Sequence, residues 1–449
     1  MSEEENINTK EQEGTHHPSL PLHYELETSK SIWARWHRTP LYLRIIGALV
    51  LGVIVGVALG MFGETGVKIA NGLSIPSKLV LRLLGAIAPV LILFAIMHAL
   101  MTAKIKGKTG FRLVRLLLLN TIVAIVIGLV VANMIRPGRW AKLEPPKQEQ
   151  SSTSQQKDAL TQFLDNVPKS LLGPLGDDGK VISVIFLAVA FGIALRRKKD
   201  ESVGTVLDFV ETVFETMIIV LHWIIDVIPI AVFGIVAGII GTKGFSDFVA
   251  LGAFVLAVIL ALLLQAAYYL IRIRFSSWVN PIDLIRKTSD ALVMAFSTAS
   301  STITMPITYE RLRDGVGLRE QNASMGALVG SNFNNDGTAL YEAMSALFIA
   351  QMLGMELGLA QQLLVVVTSV IASVGAAGIP EAGLVTMTLV FTSVGLPTPF
   401  IAILLTVDWF LDRCRTTINV MGDMNVACIL DGKEKSVESS GHAKAVPVN

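Results

Sequence analysis

VDWFLDRCRTTINVMGD, residues 407–423, decides the fold, because it sets Asp408, Asp412, Arg413, Arg415 and Asp423 inside a stretch that is otherwise apolar enough for a membrane. An ionisable group at the centre of a bilayer costs ~2.5–3.5 kcal/mol even on the mildest insertion scale, so a cluster of them persists when it is paired and used. The polar positions 408, 412, 415, 416, 419 and 423 recur at intervals of three and four, which puts them on one stripe of a helix. A single intramembrane ion pair reads equally well as a seam between helices. Six polar groups within about four turns exceed what such a seam needs. The stripe also carries both signs. A guanidinium can hold a ligand carboxylate in a forked geometry, and a carboxylate three residues earlier can hold an ammonium.

Upstream, residues 332–338 read NFNNDGT, a run whose Gly337 and oxygen-bearing neighbours predict a locally unwound turn. Freed carbonyls there, with Asn334 and Asp336, make a hard-oxygen site fit for an alkali cation. The same letters form an ordinary turn in soluble proteins; membrane depth is what makes them informative. Glu342 lies eight residues beyond Asn334, where a lone buried carboxyl beside an arginine such as Arg413 can take up and release a proton. A Glu permanently paired with an Arg is the competing structural reading.

Two hydrophobic segments cannot be simple spans. The segment 278–308 is interrupted at 297–302 (STASST) and by Pro306, and 357–395 is interrupted at 373–380 (SVGAAGIP). Such breaks survive as hairpins buried in protein or lining a wet cavity. Pro306 precedes Asp336 by 30 residues and Pro380 precedes Asp412 by 32, so the unit repeats. Paired interrupted segments point to a transporter's binding site.

The rest of the chain fits that frame. It is 52% hydrophobic and 16% charged, with mean hydropathy +0.60, which makes it an all-α polytopic membrane protein. Apolar runs able to cross a ~30 Å hydrocarbon core lie near 43–62, 79–102, 111–135, 182–195 with its upstream flank, 206–240 and 247–271. Basic clusters at Lys104, Lys106, Lys108 and Arg112, at 196–199, and at Arg272 and Arg274 follow the second, fourth and sixth runs, and Arg35 and Arg38 precede the first. Both termini are therefore expected in the cytoplasm of a multi-pass cell-membrane protein. Arg136, Arg139 and Lys142 would face outside, in a long polar connection where the charge rule is weak. Residues 1–40 read as a disordered tail without a signal peptide, and 431–449 as a second tail. Cys414 and Cys428 are held about 21 Å apart by a helix and cannot pair. His98 and His222 stand singly in apolar spans and carry no assigned role. No HExxH, cysteine-pair metal motif or Walker loop is present, which directs the energy source to an ion gradient and argues against an enzyme.

These residues closely resemble the dicarboxylate/amino acid:cation symporter family, particularly its excitatory amino acid (glutamate/aspartate) branch. The likeness runs from about 43 to 430 and is most specific at 297–306 (STASSTITMP), 334–343 (NNDGTALYEA), 376–387 (AAGIPEAGLVTM) and 407–423. It implies eight transmembrane helices with two re-entrant hairpins, inverted repeats, a homotrimer and an elevator-type movement. The scaffold would comprise mainly helices 1, 2, 4 and 5. The transport domain would comprise helices 3 and 6, hairpin 1 (about 279–310), helix 7 (about 321–353), hairpin 2 (about 357–395) and helix 8 (about 399–430). By the same resemblance Arg415 takes the substrate's side-chain carboxylate and Asp412 its amino group, with Ser301, Thr338, Thr416, Asn419 and backbone near Gly378 and Gly383 completing the pocket. Co-transported Na+ would be held by Asp423 with Asn334, Asn419 and Gly330; by Asp336 with Asn120 and Thr121; and by backbone of Ser373, Val374 and Ala376 beside Asn332. Glu342 corresponds to the branch's proton-carrying glutamate, and Arg413 to its second arginine, which other members place where this chain has Ala299. Two departures stand out: Asn335 replaces the usual Met of an Asn-Met-Asp motif, and Glu381 replaces a common Gln. K+ counter-transport is not legible.

The implied function is sodium-coupled and proton-coupled symport of an acidic amino acid. A neutral amino acid exchanger of the family fits less well because Arg415 is present, and a C4-dicarboxylate symporter because Asp412 offers an ammonium partner. An intramembrane aspartyl protease lacks its paired-aspartate contexts. An anion channel would need a pore lined by one sign of charge, and here both signs converge. The basic residues form no nucleic-acid patch.

Overall fold

Unbroken runs of Leu, Ile, Val and Ala leave a chain in lipid one local solution, hydrogen bonding within the segment. The computed structural model describes residue 39 and residues 41–102, 107–140, 170–176, 181–197, 202–243, 246–375 and 382–435, and every regular element among them is helical. Helices α1 (Leu41–Gly60), α2 (Gly63–Leu73), α3 (Ile75–Thr102), α4 (Gly107–Ile135), α5 (Val181–Arg197), α6 (Ser202–Lys243) and α7 (Ser246–Ser276) cover the six expected apolar runs. Among the described residues four stretches are long and apolar enough to cross a membrane: Leu43–Gly60, Gly110–Trp140, Gly204–Thr242 and Val249–Ser276. The short α2 is absent from the sequence reading; it begins at Gly63, whose φ of +55° turns the chain, and its buried face is small, made by Gly66 and Ala70. The tails read from the sequence fall outside the described residues, apart from Thr39 and 431–435.

Packing sorts the helices into two groups. Helix α6 runs along α1, α2 and α3, while α5 packs on α3. Across that first group Arg44 of α1 gives both terminal nitrogens to Asp226 Oδ1 of α6, at 3.1 Å each. In the second group α7 packs on α4 and on the last helix, and Phe254 stacks on Phe348 with ring centres 4.4 Å apart.

The broken segments are hairpins. In the first, α8 (Ser289–Thr298) ends at Ala299, which takes the left-handed conformation at φ +53°, and α9 (Ser301–Glu310) restarts after Ser300, whose hydroxyl accepts from Ile303 N at 3.2 Å. The break thus sits at Ala299–Ser300. Pro306 lies inside α9 and does not interrupt it, a correction to the sequence expectation; one proline removes one helical hydrogen bond without ending a helix already under way.

Residues 320–333 form a helix containing a π-helical stretch, Met325–Val329, and stop at Asn334 and Asn335, whose ψ angles of 65° and 50° leave the helical region. The expected unwound turn is there. Helix α10 (Asp336–Met352) resumes beyond it. The second hairpin pairs α11 (Leu359–Gly375) with α12 (Ala382–Ser393), and the tip at 376–381 lies outside the described residues. The last helix, α13 (Ile401–Asp431), packs against α7, α8 and α10, and reaches α1, α3 and α6 of the first group.

Candidate substrate and cation site

At the crossing of α10 and α13 the backbones nearly touch: a Cβ added at Gly337 would lie 2.7 Å from the carbonyl oxygen of Arg415. That close approach carries the polar stripe of α13 against the unwound turn. Arg415 is completely buried. Its Nη1 donates to Asp408 Oδ1 at 2.8 Å and its Nη2 to Asp412 Oδ1 at 2.7 Å, while Nε has no acceptor among the described residues. The guanidinium carbon stands 4.0 Å from the centre of the Tyr341 ring. Two carboxylates around one guanidinium leave the cage with a net negative charge, so a fresh carboxylate must take over Nη contacts that an aspartate releases. A short ion-pair cage with an exchangeable partner can do that.

The other expected pocket residues converge on the cage. Gly383 of α12 presents its bare Cα: a Cβ there would lie 3.1 Å from Thr338 Cγ2 and 3.6 Å from Arg415 Cζ. Asn419 bridges the helices, accepting from Gly337 N at 2.8 Å and donating to Asn335 Oδ1 at 3.4 Å and Thr338 Oγ1 at 3.5 Å. Ser301, at the start of α9, donates to the Ser331 carbonyl at 2.9 Å, and Thr416 is buried. Gly378 lies outside the described residues.

The oxygen groups expected to hold cations differ sharply. Asp423 Oδ1 and Asn334 Oδ1 are buried without a donor among the described residues, and a Cβ at Gly330 would collide with Asp423 Oδ1. Buried acceptors without donors, packed against bare backbone, suit a desolvated cation. Around Asp336 the oxygens are already engaged: Thr121 donates to Oδ1 at 2.7 Å and Tyr269 donates to Oδ2, while Arg272 Nη1 donates to Asn120 Oδ1. In the third group the Ser373 carbonyl accepts from Asn335 Nδ2 at 2.9 Å, and Asn332 Nδ2 points to Leu328 O at 3.4 Å. Val374 is half-buried, and Ala376 lies outside the described residues.

The sequence profile of the sodium:dicarboxylate symporter family matches residues 41–433. The chain belongs to that family. It is 30% identical to excitatory amino acid transporter 1 of Ambystoma tigrinum over 465 residues, covering 91% of this chain and 85% of that one. Excitatory amino acid transporter 4 of Mus musculus is 30% identical over 477 residues, 88% of this chain and 83% of its own. Excitatory amino acid transporter 5 of Homo sapiens is 31% identical over 458 residues, 85% and 80% respectively. The family is one of membrane symporters that take a small-molecule substrate together with sodium, not of enzymes.

Two further charged groups of this symporter have partners that the sequence did not name. Glu342 is fully buried, with Thr386 of α12 donating to Oε1 and no donor to Oε2 among the described residues. Arg415 acts electrostatically on it. Arg413 donates to the carbonyls of Ser297 at 2.9 Å and Phe296 at 3.4 Å, so its charge reaches the first hairpin's tip next to Ala299. Arg272, which follows the sixth apolar run in the sequence, lies within α7, which continues to Ser276, and its head turns inward to Asn120. Two contributors escaped the sequence reading, Tyr341 as the ring beneath Arg415 and Tyr269 on Asp336, while Asp408, already on the polar stripe, proves to be the second carboxylate on Arg415. For Tyr269 the signal was present, since Gln265, Tyr269 and Arg272 recur at helical spacing.

Proposed function

We propose that this chain is a secondary active symporter of glutamate and aspartate, coupled to sodium and to a proton, that works by an elevator movement. The observation that carries the reading is the Arg415 cage: a desolvated guanidinium held by two aspartates. An acidic amino acid supplies one carboxylate to the fork, and its ammonium then takes Asp412, the carboxylate one helical turn away. Gly383 and Thr338 bring α12 over the same atoms, so the second hairpin can close on the ligand. Sodium is cargo, with Asp423, Asn334, Asn419 and Gly330 as its best-suited oxygens. Glu342, between Thr386 and Arg415, is the proton carrier.

The two helix groups support a division of labour. The set of α1, α2, α3, α5 and α6 serves as scaffold, and α4, α7, both hairpins, α10 and α13 move with the substrate. The wider reading includes eight spans with two hairpins, a homotrimer and cytoplasmic termini. The test is uptake of labelled glutamate, aspartate, alanine and succinate into proteoliposomes, with and without an inward sodium gradient. Sodium-driven uptake of the two acidic amino acids alone is the expected result. Equal uptake of alanine would turn the reading to a neutral exchanger, and a preference for succinate would turn it to a C4-dicarboxylate carrier.

A further inference from the structure

Gln265, Tyr269 and Arg272 are spaced four and three residues apart on α7 and so share one face. That face is turned into protein: Gln265 and Tyr269 are fully buried, and Arg272 is half-buried. An arginine near the end of an apolar helix ordinarily sends its head out to the interface. Arg272 does the opposite. Its guanidinium carbon lies 5.7 Å from the Tyr268 ring centre, and Nη1 donates to Asn120 Oδ1, where it acts electrostatically on Asp336. The neighbouring groups hold this arrangement in place. Asn120 Nδ2 donates to Asn425 Oδ1 at 3.4 Å, Asn425 Nδ2 donates to the Tyr269 carbonyl at 3.0 Å, and Gln265 Nε2 donates to the Asn120 carbonyl at 3.4 Å.

A sodium ion needs bare oxygen lone pairs directed at one point. At Asp336, Thr121 and Tyr269 aim hydroxyl protons at the carboxylate, and the Asn120 oxygen already accepts from a cation. A sodium there would share that oxygen with a guanidinium, and two unit positive charges a few ångströms apart repel strongly where water is excluded. The contrast lies in the same structure, since Asp423 Oδ1 and Asn334 Oδ1 are buried acceptors with no donor among the described residues.

We infer that the Arg272 guanidinium, seated on Asn120 beside Asp336, is a resident cation that takes the place of one transported sodium, so the Asp423 group binds sodium and the Asp336 group does not. The inference rests on the sodium-coupled reading above and is tested apart from it. The full chain in detergent is titrated with sodium against a choline background. Thermal stabilisation is followed without amino acid, and aspartate affinity is then measured at each sodium concentration. In Arg272→Met, which empties the site and keeps the apolar stem, the plot of log affinity against log sodium should steepen by about one unit, that is, a tenfold sodium change should alter affinity about tenfold more than in the wild type. Thr121→Ala should leave the wild-type slope where it is, and Asp423→Asn should flatten it. An unchanged slope in folded Arg272→Met overturns the inference, and so does a slope flattened by Thr121→Ala, which remains informative if Arg272→Met does not fold. Sodium stabilisation with no effect of aspartate or glutamate would instead defeat the substrate reading and leave the sodium comparison to decide this one.

Discussion

At the residue scale, the proposed substrate class rests on one guanidinium. Arg415→Cys should abolish glutamate and aspartate uptake, because an unpaired substrate carboxylate in a dry pocket costs ~2–5 kcal/mol, while some neutral amino acid transport should emerge; near wild-type acidic uptake in proteoliposomes would remove Arg415 from the site. Glu342→Gln should make net uptake indifferent to an imposed pH gradient and keep sodium-dependent exchange, as labelled-aspartate counterflow would read out. Asn335 is the third case. Its amide donates to the Ser373 carbonyl at 2.9 Å, where the resemblance expects that oxygen to face sodium. Asn335→Met frees the carbonyl and should raise sodium affinity in a thermal-shift titration. The α13 stripe was legible in the sequence because intervals of three and four register side chains on one face whatever the surroundings. The partners of Asn335 and Arg272 were not. A long or polar side chain has several reachable neighbours, and the choice among them is made by helices far away in sequence.

At the element scale, the helix breaks were readable as composition and the crossings were not. The small polar runs at 297–302 and 373–380 and the NNDG turn announced where helices stop, since Ser, Asn and Gly offer the backbone alternatives to the helix. Pro306 misled, because a proline removes one donor and need not end a helix. The segments that flank hairpin 1 are held to α13 by a clamp at the far end of that helix. Asp431 accepts from Trp278 Nε1 at 2.7 Å, Asn322 Nδ2 at 2.8 Å and Arg319 Nε at 2.9 Å. Asp431 is the last residue of α13, past the span expected from the sequence (about 399–430). Burial works against its charge, and the hydrogen bonds from Trp278, Asn322 and Arg319 outweigh that effect, holding its pKa below the usual carboxylate value. A depressed pKa stabilises the fold fully above the unfolded value of about 3.9, and the contribution is lost as pH falls through the folded value. Asp431→Asn should therefore cost ~1.5–3 kcal/mol at neutral pH, erase this part of the acid sensitivity, and expose the 278–320 region to protease.

At the scale of the whole molecule, the two helix groups touch through α13 on α1, α3 and α6 and through α11 and α12 on α3. If the second group moves as a body, a cysteine pair linking α3 to α12 should arrest uptake on oxidation and restore it on reduction. A pair linking α1 to α6 should not, because both lie in the first group; the comparison needs Cys414 and Cys428 replaced. Composition and the repeated break spacing foretold a polytopic carrier, whereas the sorting into two groups depends on which apolar faces meet, and apolar faces look alike in a sequence. The inward turn of Arg272 reaches the level of cell energetics. Each unit charge moved across the membrane with the field is worth ~2.3 kcal/mol per 100 mV, and a tenfold sodium difference adds ~1.4 kcal/mol per ion. A carrier that keeps one positive charge built in forgoes both contributions on every cycle, so its limiting accumulation of amino acid is lower, yet it can load in dilute surroundings where a sodium-hungry carrier would stand empty.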